Sequence, residues 1–263
     1  MAGRVIEEGI TIIREKVPNL SEIQVERVCM GLGYAGVQLG TGHVGVCCTL
    51  DIRPECCQVV GQAGTLAGRS AMELAEMARS WDVGESVVGV AALNALSQIV
   101  LERATERYQI SEGNFMDFVE IKRNDLVALV GRIGRLIDRI KEKTKKLYVL
   151  ERNPDLRREG VLPDIACEEV LPKANIVIIT GSSIANKTID RLLELSKGAR
   201  EIAVVGPSSG IVPDALFRHG STIVSGIRVV DPDRVMQIIA EAGGTPQIKS
   251  AARFITIRPR LSL

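Results

Sequence analysis

The sequence predicts an α/β protein, with a mostly parallel sheet domain preceded by a smaller α+β domain. Three observations predict it. From about residue 125 onward, short β-branched runs alternate with amphipathic segments, the grammar of a parallel sheet with helices on both faces. Before residue 110 the order is a helix, several short strands in series, then helices, which reads as α+β. The 263 residues are 46% hydrophobic and 25% charged, a globular balance that excludes disordered, collagen-like and small disulfide-stapled chains. A chain of this length buries roughly 75% of its unfolded surface and needs no covalent staples.

Val5, Ile6, Gly9, Ile10 and Ile13 recur at helical spacing, so residues 4–16 form an amphipathic first helix. Residues 23–30, 33–39, 44–50 and 56–60 are short runs of β-branched or small residues, broken by glycines and by residues 51–54. They read as a four-strand meander. A helix follows over 70–79, with Ser70 as N-cap and Glu73 at the capping-box position. Residues 85–103, rich in Ala, Gly and Val, predict a longer, buried helix, and 108–124 reads as the linker. In the second half, strands are expected at 126–130, 147–150, 176–180, 202–205 and 222–224. Helices are expected after Gly134, with Leu136 and Ile140 on the apolar face, then over 189–196 and 231–242. Asp231 is the N-cap of the last, and Pro232 takes its first position.

Net charge is +1 but unevenly spread. Residues 1–121 carry 9 basic and 16 acidic side chains, and residues 122–158 carry 12 and 5. Such a basic segment attracts anions, docks on an acidic surface, or is a solvated helix face. Nucleic acid is not the expected partner, because the whole chain is near neutral and its four Phe, three Tyr and one Trp offer few stacking groups. Glu7 and Glu8 interrupt any signal-peptide core, and the most apolar stretch, 86–101, is short for a bilayer and contains Asn94, Ser97 and Gln98. Both observations point to the cytoplasm, where the six cysteines are expected as thiols.

Ligands of open α/β sheets bind beyond the carboxyl ends of the strands. Those ends carry 131–134, 151–153, 180–183, 206–209 and Ser225–Gly226. Small residues there let the backbone approach a ligand, and amides opening a helix favour an anion. Gly131 and Gly134, with Glu151 some 20 residues on, outline a cofactor turn, although the G-x-G-x-x-G spacing is missing. Glu151 is the candidate general base. His43, after Gly40-Thr-Gly42, is a candidate at the crevice wall, whereas His219 suits a helix end. The run VCCTLDIRPECCQVV, drawn as a hairpin with residues 52 and 53 at its tip, pairs Cys48 with Cys57 on one face. Cys47 and Cys56 then lie diagonally on the other. That makes two thiol pairs rather than one four-sulfur site, with simple packing as the plainer reading.

Several segments together carry a resemblance: GHVGVCCTL, GTLAGRSAMELA and VVGVAALNALS in the first half, then VLERNPD, LPKANIVIITGSSIANKTIDRLLELSKGA, VVGPSSGIVPDALFRHG and SGIRVVDPDRVMQII. The chain resembles the putative heavy-metal chelation family over roughly residues 10–110 and 120–250. The resemblance implies an enolase N-terminal-like domain over 1–110 and a Rossmann-like domain over 120–263, with a site between them. It also implies ligand-binding roles for Asn94, Asn153, Thr180, Gly181, Ser182, Asn186, Thr188, Gly206, Pro207, Ser208 and Gly226, beside Glu151. His43 is added to the ligand set from its own position.

The expected function is therefore binding of a small anionic ligand or heavy-metal chelate in an interdomain cleft, with a heavy or transition metal as the implied cofactor. Two alternatives stand beside it. One is an enzyme using NAD(P) or adenosylmethionine; the other is an accessory protein that delivers a metal or cofactor. A homodimer is the commonest assembly for such a chain, and no membrane partner is expected.

Overall fold

The structure, a computed structural model, describes residues 3–50, 59–103 and 105–260. Helix α1 (Arg4–Lys16) opens the chain and is followed by strands β1 (Val25–Met30), β2 (Tyr34–Leu39) and β3 (Val44–Cys48). These pair antiparallel in chain order as a small meander. Residues 51–58, which include most of the fourth expected strand, Cys56 and Cys57, lie outside the described residues; Val59 and Val60 are not in a strand. The proposed Cys48–Cys57 pairing falls there too.

Helices α2 (Ala71–Glu76) and α3 (Val83–Arg103) follow. Ser70 caps α2 by accepting the Met72 amide, while Glu73 reaches back to Arg69 instead of closing a capping box. The large sheet has eight strands. They are β4 (Tyr108–Glu112), β5 (Leu126–Val130), β6 (Lys146–Glu151), β7 (Val161–Pro163), β8 (Ile176–Thr180), β9 (Glu201–Val205), β10 (Ile223–Val229) and β11 (Ala252–Pro259). Their spatial order is β4-β11-β10-β9-β8-β5-β6-β7. Pairing is parallel from β10 to β7, and antiparallel only where β11 lies between β10 and β4. The connecting helices are α4 (Gly134–Lys141), α5 (Cys167–Val170), α6 (Ser182–Ala185), α7 (Ile189–Leu195), α8 (Pro213–Phe217), α9 (Pro232–Ala240) and α10 (Thr245–Ile248).

Two sequence expectations are corrected. Residues 108–124 are not a linker: β4 pairs with β11, and Tyr108, Phe115 and Met116 are buried. Ser225 and Gly226 are not a turn after a strand. They sit inside β10, paired with Thr256 and Ile255 of β11. β11 was passed over because its alternation is broken by Arg253 and Arg258, and β7 because three residues carry no period.

Alternation within the strands divides the core. Val177, Ile179 and Val204 face a cluster with α1, α3, α7 and α8, while Ile176, Ile178 and Ala203 face α4 on the other side. The first cluster also takes in Val25, Val37 and Leu39 of the small sheet. Its centre is α3, with sixteen of its 21 residues buried. That helix is long and apolar enough to cross a bilayer, yet it lies within the core. β3 packs directly on it because position 45 is glycine: a Cβ there would stand 2.0 Å from the Ala91 carbonyl oxygen.

Candidate functional site

The chain leaves β5 toward β6 and β7, then returns through β8 on the other side of β5. The turns after β5 and β8 therefore diverge at the carboxyl edge of the sheet, the position at which open α/β sheets bind their ligands. Gly131 and Thr180 face each other there; a Cβ on Gly131, whose φ is +91°, would come within 2.8 Å of the threonine methyl. Gly181 is as constrained, with its missing Cβ 2.5 Å from the Ser209 amide. Gly206 holds φ at +110°, a region that L side chains avoid, with open space where a Cβ would be. Sequence reasoning placed these glycines correctly at strand ends, but the first two are required by packing between turns.

Glu151, at the end of β6, is a brace. Its Oε2 accepts the Arg132 amide (2.8 Å) and its Oε1 accepts the Asn153 amide (2.9 Å). The carboxylate thus occupies the amide that a dinucleotide's pyrophosphate would approach in the turn after β5. Gly134 begins α4 with open space beside it. Asn153 in turn accepts the Asp155 amide, capping a short 3-10 turn. In the turn after β8, Thr180 Oγ1 and Ser182 Oγ lie 3.0 Å apart. Asn186 Oδ1 accepts both the amide (3.2 Å) and the hydroxyl (2.7 Å) of Thr188.

The small sheet reaches this edge at the end of β3. The Cys48 amide donates to Ser208 Oγ (2.8 Å), and Asn94 Nδ2 of α3 donates to the carbonyls of Val46 (2.8 Å) and Ser208 (3.1 Å). Asn94 is 2% exposed, and its Oδ1 has no hydrogen-bond partner among the described residues. Pro207 and Ser208 are buried beneath this seam. Burial pushes the Cys48 thiol above its ordinary pKa, and the nearby negative charge of Glu151 adds to it. Cys47 is fully buried, and burial likewise raises its thiol, opposed by a hydrogen bond from Ser208 and the charge of Lys187.

Lys187 was missed from the sequence, where a lysine in a turn reads as a solvated charge. Its φ is +65°, and its ammonium donates to the Ala78 carbonyl and to Ser86 Oγ. Burial lowers its pKa to about 8. Only the packing of α3 against this turn reveals it.

Two expected residues stand apart. His43 precedes β3 at the end opposite Cys48, with its ring between Thr41 Oγ1 (2.9 Å) and Glu102 Oε2 (3.2 Å). Gly226 is enclosed in β10, against Ser209 and Gly210. His219 follows α8, with Nε2 buried and without a hydrogen-bond partner among the described residues. Cys29, Cys47, Cys48 and Cys167 are free thiols.

Among the described residues no three His, Cys, Asp or Glu side chains form a group able to hold a metal ion. Glu151, whose charge acts on Cys48, already accepts an amide on each of its two oxygens. The described residues do not fit a resident bare metal.

Comparison with known proteins agrees with this architecture. A family model described as "Putative heavy-metal chelation" matches residues 114–258, and a second with the same description matches residues 13–97. An uncharacterized protein of Methanocaldococcus jannaschii is 31% identical over 190 residues, 70% of either chain. A crystal structure from Desulfitobacterium hafniense, a DUF364-family protein of unknown function, superposes with a TM-score of 0.77 at 29% identity. The match covers 96% of this chain and 98% of that one. Another DUF364-family structure, from Pyrococcus horikoshii, gives 0.80 at 22% identity over 97% and 98% of the two chains, a likeness of fold.

Proposed function

The chain belongs to the putative heavy-metal chelation family, and from that premise we propose that it binds a small organic anion, alone or as a metal chelate, in the crevice between its small and large sheets. The observation that carries this reading is the seating of β3 on the carboxyl edge, where the Cys48 amide meets Ser208 Oγ beside the turns after β5, β6 and β8. A polar, small-residue rim of this kind supports capture of carboxylate or phosphate groups through hydroxyls and backbone. In a chelate, the organic part supplies the donors that the described side chains lack. Asn94 Oδ1, buried and unpartnered, supports a polar guest or water at the seam. In this reading residues 1–110 and 120–263 form the walls, and the free thiols support a reducing compartment such as the cytoplasm.

The test is calorimetric titration with citrate, with nickel citrate and with nickel ion alone, alongside elemental analysis of protein purified anaerobically. Binding of citrate or its nickel complex, weakened at least tenfold by Ser208→Ala, is expected. A stoichiometric metal that survives dialysis against a chelator, with no organic anion bound, overturns the reading.

A further inference from the structure

The basic segment of the sequence divides between the two edges of the large sheet: Arg132, Arg135, Arg152, Arg157 and Arg158 follow β5 and β6 on the carboxyl side. Its lysines lie toward the opposite, amino-terminal edge, where basic residues before β8 and β9 join them. Lys122 and Arg123 precede β5, Lys143, Lys145 and Lys146 lead into and begin β6, Lys173 precedes β8, and Lys197 and Arg200 precede β9. All eight are exposed. Only Arg200 forms an ion pair among the described residues, with Asp125 at 2.7 Å. The acidic groups on these loops are Asp117, Glu120, Asp125, Glu142 and Glu201; Asp117, Asp125 and Glu201 are held by Arg139, Arg200 and Arg258. A marked excess of positive charge is left without an internal partner.

The loops that carry these side chains are tied into one platform. The Thr144 hydroxyl contacts the carbonyls of Arg123 (3.2 Å) and Asp125 (2.7 Å). The Asn175 side chain accepts the Leu126 amide, its own amide donates to the Leu126 carbonyl, and its carbonyl accepts the Arg200 amide. Lys141, in the last turn of α4, is accounted for by the helix dipole. The remaining lysines extend beyond that turn across the ends of four adjacent strands.

We propose that this amino-terminal edge is a docking platform for an acidic segment of a partner protein. Charge complementarity selects an anionic partner. Tyr148, on β6 two residues beyond Lys146, is the one exposed ring beside these side chains among the described residues, and one ring gives bases no stacking platform; the loops themselves carry none of the exposed large apolar side chains that would anchor in a bilayer. A ligand in the crevice and a partner on this edge occupy opposite ends of the same strands, so both fit at once.

The test is fluorescence anisotropy of a labelled 20-residue polyglutamate with the full chain, beside a DNA duplex of equal charge and phosphatidylserine vesicles. Polyglutamate binding is expected to weaken at least tenfold between 50 and 300 mM salt. It should be lost in the Lys122→Gln/Lys143→Gln/Lys145→Gln/Lys146→Gln variant, with its melting temperature near wild type. An equal number of changes at Arg132, Arg135, Arg157 and Arg158 should leave binding within twofold. Equal loss in that control, undiminished binding by the lysine variant, or tighter binding of duplex or vesicles than of polyglutamate overturns the proposal.

Discussion

Asn94 ties three parts of the molecule with one amide. Its nitrogen serves carbonyls of β3 and of the turn after β9, from a helix that belongs to neither. Replacing it by Leu strands both carbonyls in the core. We expect a loss of about 2–4 kcal/mol, two hydrogen bonds with their desolvation, read from the urea midpoint. Gly226 gives the opposite forecast. A Cβ there meets Ser209 Oγ at 3.4 Å and nothing closer, and its backbone lies outside the left-handed region. Gly226→Ala should leave stability unchanged or raise it by up to about 1 kcal/mol, with citrate binding intact by calorimetry. A tenfold loss of binding would return Gly226 to the site. The sequence showed that Asn94 was special, as a lone amide in an apolar helix, but not which of its atoms would be satisfied. That depends on carbonyls some 48 and 114 positions away along the chain.

At the scale of elements, α3 and β3 lie backbone to backbone through Gly45. Gly45→Ala forces them apart, and we expect at least about 3 kcal/mol of destabilisation or failure to accumulate folded protein, checked by circular dichroism melting. Lys187 links α3 to the turn after α6, and its lowered pKa sets a pH signature. Between about pH 8 and the ordinary lysine value, the unfolded chain holds the extra proton, so stability rises with pH. Cys47 opposes this from about pH 9, because the unfolded thiol ionises while the buried one does not. Cys29, Cys48 and Cys167, whose thiols burial also raises, oppose it in the same way, so the rise contributed by Lys187 is read as the difference from a Lys187→Met variant. Lys187→Met should remove the rise, as urea titrations at pH 7.5, 8.5 and 9.5 would register. The order of helices and parallel strands was legible because each carries its own period. Strand β4 was not, since its five residues look like a loop until β11 arrives beside them. The turns of the site were legible as small-residue strand ends, whereas Lys187 and the seating of Cys48 on Ser208 arise from packing between distant segments.

For the whole molecule, the central cluster that unites α1, α3, the small sheet and one face of the large sheet makes the two family-model regions one cooperative body. A chain ending after residue 110 should expose α3 and fail to give a cooperative melt, while the full chain should melt in a single calorimetric transition. A stable, soluble fragment 3–110 with a sharp melt would refute that view. Strand β11 has a consequence for biosynthesis. β4 finds its ladder partner only there, about 140 residues further on. On the ribosome, β4 and the newly made β10 must wait as open edges until the last strand slides between them. Those edges are the ones most exposed to mispairing with a neighbouring nascent chain. Slowing translation before residue 252 would lengthen that wait, and a factor that shields unpaired strands would find its target in the interval between β10 and β11.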